Sequence, residues 1–150
     1  KKLKLKFIDI DQIIEKKEKK SNKEIFDNKG EIYFRKIEKK ITLDELKKSN
    51  LIIALGGGAF INDTIRREVK NTSISFWLDL GLKYLLPRLR NIKKRPLLNQ
   101  ENLEETIKKI YSDRKKFYNE SSFRIKCNST KIEVIVEKII KLYADSRNKN

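Results

Sequence analysis

The sequence predicts an α/β protein: a parallel sheet covered by helices on both faces, in three layers. Three observations carry this. Short apolar runs alternate along the chain with segments of helical period, the pattern of βα units. One of those runs, Leu51-Ile52-Ile53-Ala54-Leu55, is continuously apolar and bounded by Asn50 and three glycines, as a buried parallel strand would be. And 150 residues suffice for one hydrophobic core but not two, so residues 1–150 read as a single domain without repeat or linker.

Taken in order, Leu5 to Ile10 reads as a strand whose apolar residues Phe7, Ile8 and Ile10 lie beside Asp9 and Asp11. Ser21-Asn22-Lys23-Glu24 has the spacing of a capping box and opens a helix through Ile25 and Phe26. Gly30 ends that helix, and a second one over residues 31–40 carries Tyr33, Phe34, Ile37 and Ile41 on one face. Thr42-Leu43-Asp44-Glu45 is a further capping box, predicting a third short helix to about Ser49. After the strand at 51–55 come a helix over about 62–70, a strand over 73–78 and a helix over 82–89. The segment 91–100, with Pro96 and several polar residues, reads as a loop. A long helix over 103–118, a strand over 123–127 and a last helix over about 130–143 complete the chain.

Composition removes several classes of function. No apolar run is long enough to cross a membrane, and no basic segment leads into an apolar signal core. The single cysteine, Cys127, excludes a disulfide framework; without histidine a zinc site has almost no ligands, and His-based acid–base chemistry is absent. These features suggest a reducing cytoplasm. The net charge of +16 raises the question of a nucleic-acid partner. Lysine supplies 28 of the 37 basic residues, scattered among isoleucine and asparagine, a pattern that suits compositional bias at solvated positions. The aromatic residues fall on apolar faces or in motifs rather than on a stacking platform, so neither nucleic acid nor membrane is expected as a partner. In such a chain the nine arginines are the more informative cations, because a planar fork is not replaced by lysine.

Four segments could carry chemistry. Asp9 and Asp11 would face the same side of an extended strand, where a carboxylate pair suits a Mg²⁺ water shell or a substrate hydroxyl; two helix-capping aspartates are the alternative. In Gly30-Glu31-x-x-Phe34-Arg35-x-x-Glu38, Arg35 is either half of an i,i+3 surface pair or aimed at a carboxylate or phosphate between Phe26 and Phe34. Gly56-Gly57-Gly58 carries the highest chain-entropy cost of any tripeptide, which argues for backbone that closely approaches a ligand; a tight strand-to-helix turn, which rarely needs three glycines, is the alternative. Arg88, Arg90 and Arg95, the last followed by Pro96-Leu97-Leu98, are either a solvated basic loop or an arginine-bearing lid over a transferring phosphoryl group.

In this order the segments FIDID, EIFDNKGEIYFRKIE, ALGGG, RLRNIKKRPLL and Arg114-x-x-x-Tyr118 resemble the shikimate kinases over nearly the whole chain. The resemblance implies a nucleoside-monophosphate-kinase-like, P-loop kinase fold and ATP-dependent phosphorylation of the 3-hydroxyl of shikimate, a step of chorismate and aromatic amino acid biosynthesis. It implies a helical substrate-binding region at about 11–49 and a lid at about 88–102. Carried over by motif, Asp11 holds the ring hydroxyls and orients or deprotonates the nucleophile, and Asp9 lies near Mg²⁺ through water. Arg35 and Arg114 clamp the shikimate carboxylate, and the Gly57 N–H meets the substrate. Arg95 reaches the ATP phosphates as a catalytic residue, with Arg88 and Lys131 as further ATP-binding residues. The expected partners are shikimate and ATP, in a monomer. A gluconate-type kinase of the same fold and a degenerate, non-catalytic shikimate-binding protein are the alternatives.

One departure stands out. The family's phosphate-binding loop, G-x-x-x-x-G-K-[ST], belongs ahead of the first strand seen here, and no Gly-Lys-Ser or Gly-Lys-Thr occurs in the sequence. With it goes the first, central strand of the sheet. The chain also contains no methionine. The expectation is therefore an N-terminally truncated record of a complete enzyme, inactive as these 150 residues alone.

Overall fold

The structure is a computed structural model; it describes residues 2–90, 102–128 and 131–148. Two compact units divide the chain, one running to Ser73 and one beginning at Ile74.

In the first unit, β1 (Lys6–Asp9) pairs in parallel with β2 (Leu51–Ala54), in the register Lys6↔Leu51 to Asp9↔Ala54. Between them run α1 (Ile10–Glu18) and α2 (Asn22–Leu46). Sequence reasoning missed α1 and carried the strand one residue too far. The reason is local: the Asp9 carboxylate accepts from the N–H groups of Asp11 (2.9 Å) and Gln12 (3.4 Å), capping a helix that starts at Ile10. Asp11 thus lies in a first helical turn, and strand alternation does not orient it.

The capping box at Ser21 forms as expected: Ser21 N–H donates to Glu24 Oε2 (2.8 Å), and Glu24 N–H donates to Ser21 Oγ (3.3 Å). Gly30 breaks the helix as expected: its φ of 77° and ψ of 170° are not helical and favour glycine, so α2 is two helices that meet at a kink there. The capping box expected at Thr42 does not form. Thr42 is fully buried inside α2, since Ile41, Thr42 and Leu46 continue its inner face. The core joins Ile8, Ile10, Ile14, Ile25, Phe34 and Ile41. Each fully buried isoleucine contributes about 1.5–3 kcal/mol of transfer free energy. β2 is parallel, as predicted, but less buried than its apolar run suggests: Ile52 is exposed, as is its cross-strand neighbour Phe7.

A 3-10 turn (Ala59–Ile61) and α3 (Asp63–Thr72) close the unit. Asn62 caps α3, its Oδ1 accepting from the N–H groups of Thr64 and Ile65.

In the second unit, β3 (Phe76–Asp79) pairs in parallel with β4 (Phe123–Lys126), from Phe76↔Phe123 to Asp79↔Lys126. The helices are α4 (Leu82–Arg90), α5 (Leu103–Tyr118) and α6 (Ile132–Arg147), close to the positions expected. Phe76 and Phe123 stack at 5.4 Å, and the Arg124 guanidinium lies 4.6 Å from the centre of the Trp77 ring. Among the described residues, no helix is long and apolar enough to cross a membrane.

Candidate active site

Parallel pairing decides where the first unit can bind a ligand. With Asp9 opposite Ala54, both strands end at the same edge, and the chain continues from there into Asp11 and into Gly56-Gly57-Gly58. Crevices at the carboxyl ends of parallel strands are the ligand sites of α/β folds.

The glycines are packed against charge. A Cβ on Gly56 would stand 2.8 Å from Glu38 Oε1 and 2.9 Å from Asp11 Oδ1. A Cβ on Gly58 would run into the Arg35 guanidinium. The loop thus brings Asp11, Glu38 and Arg35 around one stretch of backbone, at a distance only glycine permits. Arg35 donates from Nη1 to Glu38 Oε2 (2.7 Å) and from Nε to Glu31 Oε1 (3.2 Å). Glu38 is 2% exposed. Burial of the Arg35 guanidinium works against its charge, but the hydrogen bonds and charges of Glu38 and Glu31 outweigh it and raise its pKa. Phe26 and Phe34, 4.4 Å apart, flank it, with Arg35 5.8 Å and 5.4 Å from their ring centres. These are the apolar walls expected from the motif. The i,i+3 pair is real, but it is no surface pair.

Of the other predicted site residues, Asp9 spends Oδ1 on the α1 cap. Arg114 is half-buried on α5, Arg88 exposed on α4, and Lys131 exposed at the N-cap of α6, all three in the second unit. Arg88 lies close enough to Cys127 to favour its thiolate, yet burial and then Asp79 push that thiol pKa up. Arg95 and most of the expected lid lie outside the described residues.

Sequence reasoning missed two groups. Arg66, buried on α3, donates to the carbonyls of Phe60 (3.3 Å) and Ile61 (2.9 Å) and to Asp63 (3.2 Å). Asp79, also buried, accepts from Tyr111 Oη (2.9 Å) and from Arg124 Nε (2.9 Å) and Nη2 (2.6 Å). The signal for Arg66 and Arg124 was their being arginines in a lysine-rich chain.

Among the described residues no group of three or more Asp, Glu, His or Cys could hold a metal ion. Asp9 commits Oδ1 to the helix cap, which leaves Oδ2 as the oxygen with which it could face a Mg²⁺ ion or its water shell.

A parallel α/β scaffold with an arginine, two carboxylates and a glycine loop at its strand ends has the equipment of a small-molecule kinase that grips an anionic, hydroxylated substrate. The family model for shikimate kinase matches residues 1–144. Shikimate kinases of Sulfurihydrogenibium sp. (strain YO3AOP1) and Persephonella marina are 38% and 37% identical to this chain over 139 residues; the matches cover 93% of it and 82% and 84% of those proteins. The structure of Acinetobacter baumannii shikimate kinase in complex with shikimate superposes with a TM-score of 0.89 at 28% identity, covering 95% of this chain and 80% of that one. Aquifex aeolicus shikimate kinase does so at 0.81 and 31%, covering 97% and 85%. This chain belongs to the shikimate kinase family.

Proposed function

We propose that this protein transfers the γ-phosphoryl group of ATP to the 3-hydroxyl of shikimate. The observation that carries the reading is the close packing of Gly56 and Gly58 against Asp11, Glu38 and Arg35. Shikimate presents one carboxylate and three hydroxyls; a guanidinium, a carboxylate acceptor and glycine backbone at one strand edge match those groups in kind.

In this reading Arg35 binds the shikimate carboxylate, with Glu38 holding the fork in orientation and the aromatic pair limiting its swing. Arg114 is the second arm of that clamp. Asp11 accepts from the ring hydroxyls and takes or directs the proton of the attacking one. The Gly57 N–H donates to the substrate. Arg95, with Arg88 and Lys131, serves the ATP phosphates and adenine. A bound Mg²⁺ would neutralise charge on the β- and γ-phosphates; Asp9 would meet it through water. We place the protein in the cytoplasm, as a monomer.

The test is calorimetric titration with shikimate and, separately, gluconate, followed by an assay of the protein for shikimate 3-phosphate formation with Mg²⁺ and ATP. Saturable binding of shikimate, without competition by gluconate, and Mg²⁺-dependent product formation are expected. Preference for gluconate would replace the substrate, and binding without turnover would leave a non-catalytic shikimate-binding protein.

A further inference from the structure

The glycine loop does not hold its shape alone. Ala59 N–H donates to Gly56 O (3.0 Å), and Ile61 N–H donates to Gly58 O (3.2 Å). Because a peptide unit is planar, the Gly56 C=O and the Gly57 N–H point in opposite directions within one plane. Whatever fixes the Gly56 carbonyl therefore fixes the aim of the Gly57 N–H. That anchor is the turn Ala59–Ile61, a single 3-10 turn too short to be stable in isolation. Its last carbonyls, those of Phe60 and Ile61, both accept from Nη1 of Arg66, whose Nη2 donates to Asp63. The neighbouring Arg67 reaches the same Asp63 from the surface (2.7 Å).

We propose that Arg66 is a positioning residue for substrate binding: by capping the Ala59–Ile61 turn it sets the direction of the Gly57 N–H. This rests on the reading of Gly57 as a contact to shikimate. A cation buried to this degree is costly unless it is hydrogen-bonded, and here a carbonyl pair and a carboxylate accept from the guanidinium. An ordinary helix staple would need only the Asp63 pair. The bonds that run backwards into the loop are what point to the site.

The test compares Arg66→Met and Arg66→Lys with Arg67→Ala, reading shikimate affinity by calorimetry, melting temperature, and hydrogen exchange at the Ala59 amide. Arg66→Met is expected to lower shikimate affinity about tenfold and to speed Ala59 exchange by a similar factor, the scale of one hydrogen bond to a charged group. Arg66→Lys, which reaches one carbonyl, should recover part of both, and Arg67→Ala should change neither. Should Arg66→Met fail to fold, Arg66→Lys carries the comparison. Unchanged affinity and exchange in Arg66→Lys and Arg66→Met, or faster exchange spread evenly over the first unit, would overturn the proposal. Absence of shikimate binding by the unaltered protein would overturn the substrate reading, and the Ala59 rate would still decide whether Arg66 holds the loop.

Discussion

Arg35 with Glu38 and Arg124 with Asp79 are two arginine–carboxylate pairs of the same chemistry in different surroundings. Each carboxylate is buried, at 2% and 4% exposure. Asp79 is enclosed by bulky side chains: Tyr111 on one oxygen, Arg124 twice on the other, and Trp77 beneath the guanidinium, with Tyr118 5.7 Å from Trp77. Glu38 and Arg35 instead face backbone stripped of side chains at Gly56 and Gly58. A buried ion pair is therefore no mark of function by itself. Both guanidiniums lie against aromatic rings, Phe26 and Phe34 for Arg35 and Trp77 for Arg124. The difference lies on the carboxylate side: Asp79 is fastened between strands and helix by Tyr111 and Arg124, while the glycine backbone beside Glu38 and Arg35 leaves that pair able to meet a ligand.

The largest expected effect breaks the fastening. Asp79→Ala leaves Tyr111 and Arg124 without their acceptor and should cost about 3 kcal/mol of unfolding free energy by denaturant titration. Arg35→Ala should do the opposite. It should weaken shikimate binding by about 1.5–3 kcal/mol, the worth of a hydrogen bond between charged groups, with a smaller loss of stability.

Gly58→Ala sharpens the contrast. The new methyl meets the far end of a flexible side chain, and Gly58 has an ordinary φ of −101°, so the fold has room to adjust. Arg35 must move, and shikimate affinity should fall about tenfold while the melting temperature shifts by less than about 4 °C.

The smallest effect is at Tyr111. Removing its hydroxyl in Tyr111→Phe should cost about 1 kcal/mol at neutral pH. Burial first, and then the hydrogen bond to Asp79, raise the Tyr111 pKa above 10.0. A raised folded-state pKa gives stability that is intact below the ordinary tyrosine value and lost as pH climbs through the raised one. The unaltered protein should thus lose more stability than Tyr111→Phe in alkaline denaturation above about pH 10.

Much of this was legible in the sequence, and the misreadings have physical causes. The alternation of strands and helices and the Ser21 capping box follow from spacing, while Arg35 between Phe26 and Phe34 was one of two readings that spacing left open. The start of α1 did not, because apolar Ile8 and Ile10 suit a strand until Asp9 is seen capping the backbone two and three residues ahead. The continuation of α2 from its Gly30 kink past Thr42 to Leu46 was hidden by a capping pattern that tertiary burial overrides. Arg66 and Asp79 belong to no short motif; their partners lie across turns and strands, beyond the reach of local spacing.

Ligand recognition belongs to the pair beside the glycines, Arg35 with Glu38, and not to Arg124 with Asp79. Titration of shikimate into the ¹⁵N-labelled protein, followed at the Gly57 amide and at the Nε–H groups of Arg35 and Arg124, tests it most directly. Saturable shifts at Gly57 and Arg35 with one affinity, and a stationary Arg124 signal, are expected. Shifts at Arg124 with Gly57 and Arg35 unmoved would contradict it.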